Sequence, residues 1–223
     1  MTFLAPILAA LLLSNPVAAP QAAPQAAPTA MVGDPYPLDT CIVSGEKLGP
    51  DAKVVVLSGQ KDPLQNGRQL KFCCPKCEAS FAAEPAKYVR ELDAKIVAAQ
   101  AKSYPIDHCL VMPDEKLEAD AKTVVYGNRL YRLCCPKCVR KFGQDPAKWA
   151  AAYDKEVIAA QKPGYPLDTC PISGKKLGDG AVDVVVGSRL VRACCPGCVG
   201  PIKADPAAAI AKVDAAAAAK PKG

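Results

Sequence analysis

RQLKFCCPKC (Arg68–Cys77), RLYRLCCPKC (Arg129–Cys138) and RLVRACCPGC (Arg189–Cys198) are three versions of one phrase. Each carries two adjacent cysteines, a proline and a further cysteine, and their neighbourhoods repeat too. Upstream lie Val-rich segments at Val54–Leu57, Thr123–Tyr126 and Val182–Val186, then turns at Asn66-Gly67, Gly127-Asn128 and Gly187-Ser188. Runs of β-branched residues bounded by Gly or Asn turns predict β-hairpins. Further upstream are YPLDTCIVSGEKLG (Tyr36–Gly49), YPIDHCLVMPDEKLE (Tyr104–Glu118) and YPLDTCPISGKKLG (Tyr165–Gly178), each with one lone cysteine. Self-similarity at a period of about 60 residues marks three tandem copies, expected over residues 36–102, 103–163 and 164–219.

Downstream of each CCPxC the pattern turns helical. Glu84-Pro85, Asp145-Pro146 and Asp205-Pro206 set an acidic residue at an N-cap and proline at the first helical position. Tyr88, Leu92 and Ile96 then recur at every fourth position, as do Trp149, Tyr153 and Val157, giving each helix one apolar face. Phe81, Phe142 and Tyr88 read as core packing. Ser44-Gly45 and Lys47-Leu48-Gly49 read as turn chemistry. The first copy has a longer hairpin, and its extra residues, Gln60–Gln65, fit a tip or insertion. The fold class expected is α+β: small hairpin-and-helix units in tandem.

The chain has 223 residues, a formal net charge of +6 and an aromatic content of 5%. A unit of about 60 residues with so few aromatics is marginal on its own core, and the cysteines are the available staple. Twelve cysteines and one histidine leave no material for a Ser-His-Asp triad in every copy. The carboxylates show no paired arrangement, so a non-enzymatic role is expected. Lys and Arg alternate with Asp and Glu along the helices, so no basic run dense enough for nucleic acid is present.

In the first copy, Cys41 sits in a Gly-containing turn, and Cys73, Cys74 and Cys77 follow the hairpin. Cys73 and Cys77 flank the point where strand gives way to helix. A helix N-terminus favours thiolate, and thiolate binds soft metals. One thiolate from the turn and two from the helix start can therefore converge on one ion. Adjacent cysteines in a strand would point to opposite faces, so only one of Cys73 and Cys74 joins easily unless the chain is already turning. Two other chemistries remain open. In an oxidising compartment Cys41 could pair with Cys73 or Cys74 while Cys77 takes the other. CPxC is also formally a redox motif, although such motifs belong to a βαβ context.

The order of a lone Cys, a hairpin, Phe-Cys-Cys-Pro-Lys-Cys and a downstream Phe81…Pro85-Ala86-Lys87-Tyr88 resembles the TRASH/YHS-like treble-clef modules. The resemblance runs from Tyr36 to about Asp214. It implies treble-clef-like units and a role in heavy-metal sensing, trafficking or resistance. It also implies the ligand cores Cys41, Cys73 and Cys77; Cys109, Cys134 and Cys138; and Cys170, Cys194 and Cys198. The extra Cys74, Cys135 and Cys195 occupy a position often serine in such modules. Three thiolates suit trigonal Cu(I), or Zn²⁺ with a fourth ligand. That fourth ligand is sought among Cys74, Cys135 and Cys195, or Asp39, His108 and Asp168 beside the lone cysteines. One Zn²⁺ or Cu(I) per repeat is expected, with a second protein as a further partner.

The N-terminus reads as an export signal over residues 1–19. FLAPILAALLL (Phe3–Leu13) is apolar but too short to span a bilayer, and the small residues Val17-Ala18-Ala19 follow. Residues 20–35 begin as a Pro/Ala spacer, PQAAPQAAPTA, expected to be extended and poorly packed. A periplasmic or secreted protein, free of the membrane after cleavage, is expected.

Overall fold

The structure, a computed structural model, describes residues 30–219. The signal sequence and most of the spacer lie outside the described residues. The architecture is α+β, with each sheet a two-stranded antiparallel ribbon. In the first unit β1 (Lys53–Val56) pairs with β2 (Gln69–Phe72), followed by α1 (Pro75–Ala83) and α2 (Pro85–Gln100). The second unit opens with a short ribbon, β3 (His108–Cys109) on β4 (Met112–Lys116). Its main hairpin is β5 (Lys122–Tyr126) and β6 (Arg129–Leu133), followed by α3 (Pro136–Gln144) and α4 (Pro146–Gln161). The third has β7 (Val182–Val186), β8 (Arg189–Ala193), α5 (Val199–Ala204) and α6 (Pro206–Ala219). No helix among the described residues is long and apolar enough to cross a membrane.

Each unit thus ends in two helices, and the break falls at Glu84, Asp145 and Asp205. Those residues leave helical geometry just before the proline that opens the second helix. A proline disfavours helical backbone in the residue before it, so the break is local chemistry. Asp145 accepts from the Lys148 amide at 3.1 Å and Asp205 from the Ala208 amide at 3.0 Å. Glu84 makes no such bond. In the first hairpin, Asn66-Gly67 closes the base of the insertion rather than turning the strands. The Gly67 amide donates to the Leu57 carbonyl and Asn66 Oδ1 accepts from the Gln60 amide, both at 2.8 Å.

Within a unit the core is the inward side of the hairpin against the helices. Leu70 and Phe72 alternate inward along β2, meeting Phe81, Leu92 and Ile96, all buried. Tyr131, Phe142 and Tyr153 do the same in the second unit, with Tyr131 centred 4.8 Å from Phe142 and 5.2 Å from Tyr153. Arg68, Arg129 and Arg189, the first residues after the turns, pair with Asp93, Asp154 and Asp214 on the second helix of the same unit.

The cores are also shared between units. Val125 and Leu130 of the second hairpin lie in the first unit's core, and Val185 of the third lies in the second unit's. Two glutamines at the helix ends hold these contacts. Gln100 accepts from the Leu130 amide at 2.9 Å and donates to the Asn128 carbonyl at 3.3 Å. Gln161 does the same with the Leu190 amide (2.8 Å) and the Ser188 carbonyl (2.7 Å).

Residues 32–35 are not the poorly packed spacer end expected of them. The Val32 amide donates to Gly67 O at 2.8 Å and the Asp34 amide to Gly127 O at 2.7 Å. The Asp34 carboxylate takes Arg129 in a fork, Nε at 3.0 Å and Nη2 at 2.7 Å, and accepts from the Gly187 amide at 2.6 Å. Gly67 at the base of the first hairpin's insertion and the turns of the other two hairpins therefore converge on this strand of chain. A Cβ on Gly33 would stand 2.3 Å from Gly127 O, so this close approach requires glycine.

Candidate metal centres

The cysteines gather at the open ends of the hairpins, away from those turns. The lone cysteine is held by a tight knuckle. The Cys41 amide donates to Glu46 O at 2.7 Å, and the Gly45 amide donates back to Cys41 O at 2.9 Å. The third unit repeats this with Cys170, Lys175 and Gly174 at the same distances. Gly45 and Gly174 adopt φ of 73° and 71°, which explains the Ser-Gly signature. The second unit lacks that glycine. It spends one extra residue, pairing His108 with Lys116 where Thr40 pairs with Lys47 and Thr169 with Lys176. The β3–β4 ribbon, with its register shift, is the result.

The other three cysteines come from the strand-to-helix junction. Cys74 is extended, with φ −157° and ψ 164°, and Pro75 starts α1 immediately after it. Because the chain turns there, the adjacent cysteines do not diverge to opposite faces. Cys73 and Cys74 Sγ are 3.8 Å apart, and each is 3.6 Å from Cys77 Sγ.

Three sets of sulfurs lie mutually within 4.8 Å: Cys41, Cys73 and Cys77; Cys109, Cys134 and Cys138; Cys170, Cys194 and Cys198. In each set the first and last are buried and the middle one is half-buried. Cys74, Cys135 and Cys195 fall outside these sets, although Cys135 is 3.7 Å from Cys138 and Cys195 is 4.0 Å from Cys198. The side chains considered as a fourth ligand are not in the sets either. His108 is turned away, its Nε2 3.0 Å from Glu156 and its Nδ1 3.2 Å from Asp107. Asp39 and Asp168 act through their backbone carbonyls, which accept from Leu48 and Leu177 at 2.8 Å.

The spacing fits a bound ion. Sulfurs on one ion with bonds of about 2.3 Å at the tetrahedral angle stand about 3.8 Å apart, whereas disulfide sulfurs stand at about 2.05 Å. The close sulfur pairs here measure 3.6 to 4.0 Å, and no two of the twelve cysteines are joined in a disulfide. The redox alternative lacks its scaffold, because the CPxC segments follow antiparallel hairpins and not a parallel strand.

The thiols are unequal. Burial opposes ionisation of Cys41, but the amides of Ser44, Cys73 and Val43 and the Ser44 hydroxyl outweigh it, bringing the thiol down to about 6. Cys170 is likewise brought to about 6, against burial, by Ser173, Cys194 and Ile172. Burial, followed by hydrogen bonding to neighbouring cysteines, pushes Cys77 and Cys198 up to about 12. Cys135 falls to about 7, chiefly through the Cys138 amide at the start of α3.

One participant escaped the sequence reading. Ser44 Oγ lies 3.4 Å from Cys73 Sγ, and Ser173 Oγ lies 3.2 Å from Cys194 Sγ, so these serines contact a sulfur as well as shaping a turn. Aligning the copies shows the signal: the second unit has Met112 in that place. No protein-family model, no curated protein and no solved structure matches this chain.

Proposed function

We propose that this is an exported, non-enzymatic protein that binds Zn²⁺ or Cu(I) through cysteine thiolates and serves in heavy-metal handling. The observation that carries this reading is the threefold recurrence of a three-sulfur set within 4.8 Å. Each set would hold one ion: Cys41, Cys73 and Cys77 in the first unit, with their counterparts in the others. A trigonal thiolate seat suits Cu(I), and a seat with an open fourth position lets Zn²⁺ be accepted and released. The resemblance to TRASH/YHS-like treble-clef modules points the same way, and the signal-like residues 1–19 support a periplasmic or secreted location.

The test is to purify the full-length product from its native compartment, count metal by native mass spectrometry and count thiols by alkylation before and after chelation. About three ions per chain, with thiols released by chelation, is the expected result. A mature N-terminus at Pro20 is expected from the same spectra. Metal-free protein with every cysteine oxidised would overturn the reading in favour of a disulfide-stapled interaction module.

A further inference from the structure

We propose that each unit seats two Cu(I) ions rather than one, with Cys73 and Cys77, Cys134 and Cys138, and Cys194 and Cys198 as bridging thiolates. This rests on the thiolate-metal reading above and deepens it. The carrying observation is the shape of the four-sulfur set. Cys73 and Cys77 are 3.6 Å apart, and Cys41 lies within 4.8 Å of both. Cys74 is 3.8 Å from Cys73 and 3.6 Å from Cys77. The four sulfurs therefore form two triangles hinged on the Cys73–Cys77 edge.

The third unit repeats this shape. Its hinge, Cys194–Cys198, is 3.8 Å long, and Cys195 stands 3.8 and 4.0 Å from its two ends. In the second unit the hinge is 3.6 Å and Cys135 is 3.7 Å from Cys138.

One tetrahedral ion does not match this shape. Two sulfurs on the same ion cannot be farther apart than two bond lengths, about 4.6 Å. Cys74 is close to Cys73 and Cys77 but does not join the 4.8 Å set that those two form with Cys41. Cys41 and Cys74 thus sit on opposite wings and serve different ions. A soft ion content with three thiolates fills each wing, and that ion is Cu(I). Cys74 and Cys135 also precede the first turns of α1 and α3, where the helix dipole favours thiolate.

The chemistry balances without redox change. Six Cu–S bonds form, every thiol proton still present on the four cysteines leaves to solvent, and the cluster of two Cu(I) and four thiolates carries a net charge of 2−. With bonds of about 2.3 Å across a 3.6 Å edge, the two ions would stand about 2.9 Å apart.

The test titrates the full reduced, metal-free chain with Cu(I) under anaerobic conditions against a chromogenic Cu(I) chelator, with ions counted by native mass spectrometry. Six Cu(I) per chain are expected, two for each of the three sets. X-ray absorption at saturation should show Cu–Cu vectors of about 2.6–2.9 Å across the 3.8 and 3.6 Å hinges. The combined Cys74→Ser, Cys135→Ser and Cys195→Ser variant should bind three Cu(I) and lose those vectors. Wild-type protein that stops at three Cu(I) with no Cu–Cu vector, while a parallel titration of the metal-free chain loads three Zn²⁺, overturns the second seat and leaves the proposed function standing. Six Cu(I) retained in the triple variant overturns the assignment to those cysteines. Failure to bind either metal removes both readings.

Discussion

Cys41 and Cys77 show how one set of sulfurs prepares for a cation. With Cys41 brought to about 6 and Cys77 pushed to about 12, the metal-free site at neutral pH holds an ionised thiolate beside a protonated thiol. An entering ion must displace the Cys77 proton, so protons compete with metal. Affinity therefore falls as pH falls and rises as pH rises. Calorimetry of Zn²⁺ binding in buffers of different ionisation enthalpy should show net proton release, and occupancy should drop between about pH 8 and about pH 5. Zn²⁺ binding with no net proton release would mean the thiols are not the ligands.

At the scale of elements, two contrasts can be measured. Asp145 caps α4 with a real hydrogen bond and Glu84 does not cap α2, although both stand before a proline. Asp145→Ala should cost about 1 kcal/mol in denaturant unfolding. Glu84→Ala should cost well under that, and equal costs would contradict the capping account. Leu130 belongs by sequence to the second hairpin, yet it is fully buried in the first unit's core. Leu130→Ala should cost about 2–5 kcal/mol. Hydrogen exchange should show lost protection in α2 of the first unit as well as in β6. Loss confined to the second unit would show that the shared core is not cooperative.

For the whole molecule, the convergence of the three hairpins on residues 32–35 is the organising contact. The Asp34 side chain is 7% exposed and that of Arg129 4% exposed, and they pair across 95 positions of sequence. Arg129 also pairs with Asp154 and donates to the Val185 carbonyl at 2.7 Å, so one side chain links Asp34, the second unit's α4 and the third unit's β7. Asp34→Asn leaves a buried guanidinium with one carboxylate fewer and should cost about 3–5 kcal/mol. Thermal unfolding should remain a single transition in the wild type and broaden or split in this variant. An unchanged midpoint would remove Asp34 from the assembly of the units.

The three hairpins, the helices opened by Glu-Pro and Asp-Pro, and the convergence of Cys41, Cys73 and Cys77 were all legible in the chain. Their causes are local: β-branched runs, glycine and proline, and the charge preference of a helix start. Repetition made the signal plain, since each copy reads the same way. Three things were decided only by tertiary structure. The turn after Cys73 brings Cys74 to the same side as its neighbour, which depends on backbone angles that two adjacent cysteines do not encode. The packing of Leu130 and Val185 into the preceding units depends on where one helix ends relative to the next hairpin. The central place of Asp34 depends on Gly127, Arg129 and Gly187, far along the chain, and no periodicity reports a contact across such a distance. Sequence by itself thus determined the units and the cysteines that meet in each, while the fold decided how the units share one core, because only packing in space can satisfy a buried charge and cover an apolar strand with a neighbour's helix.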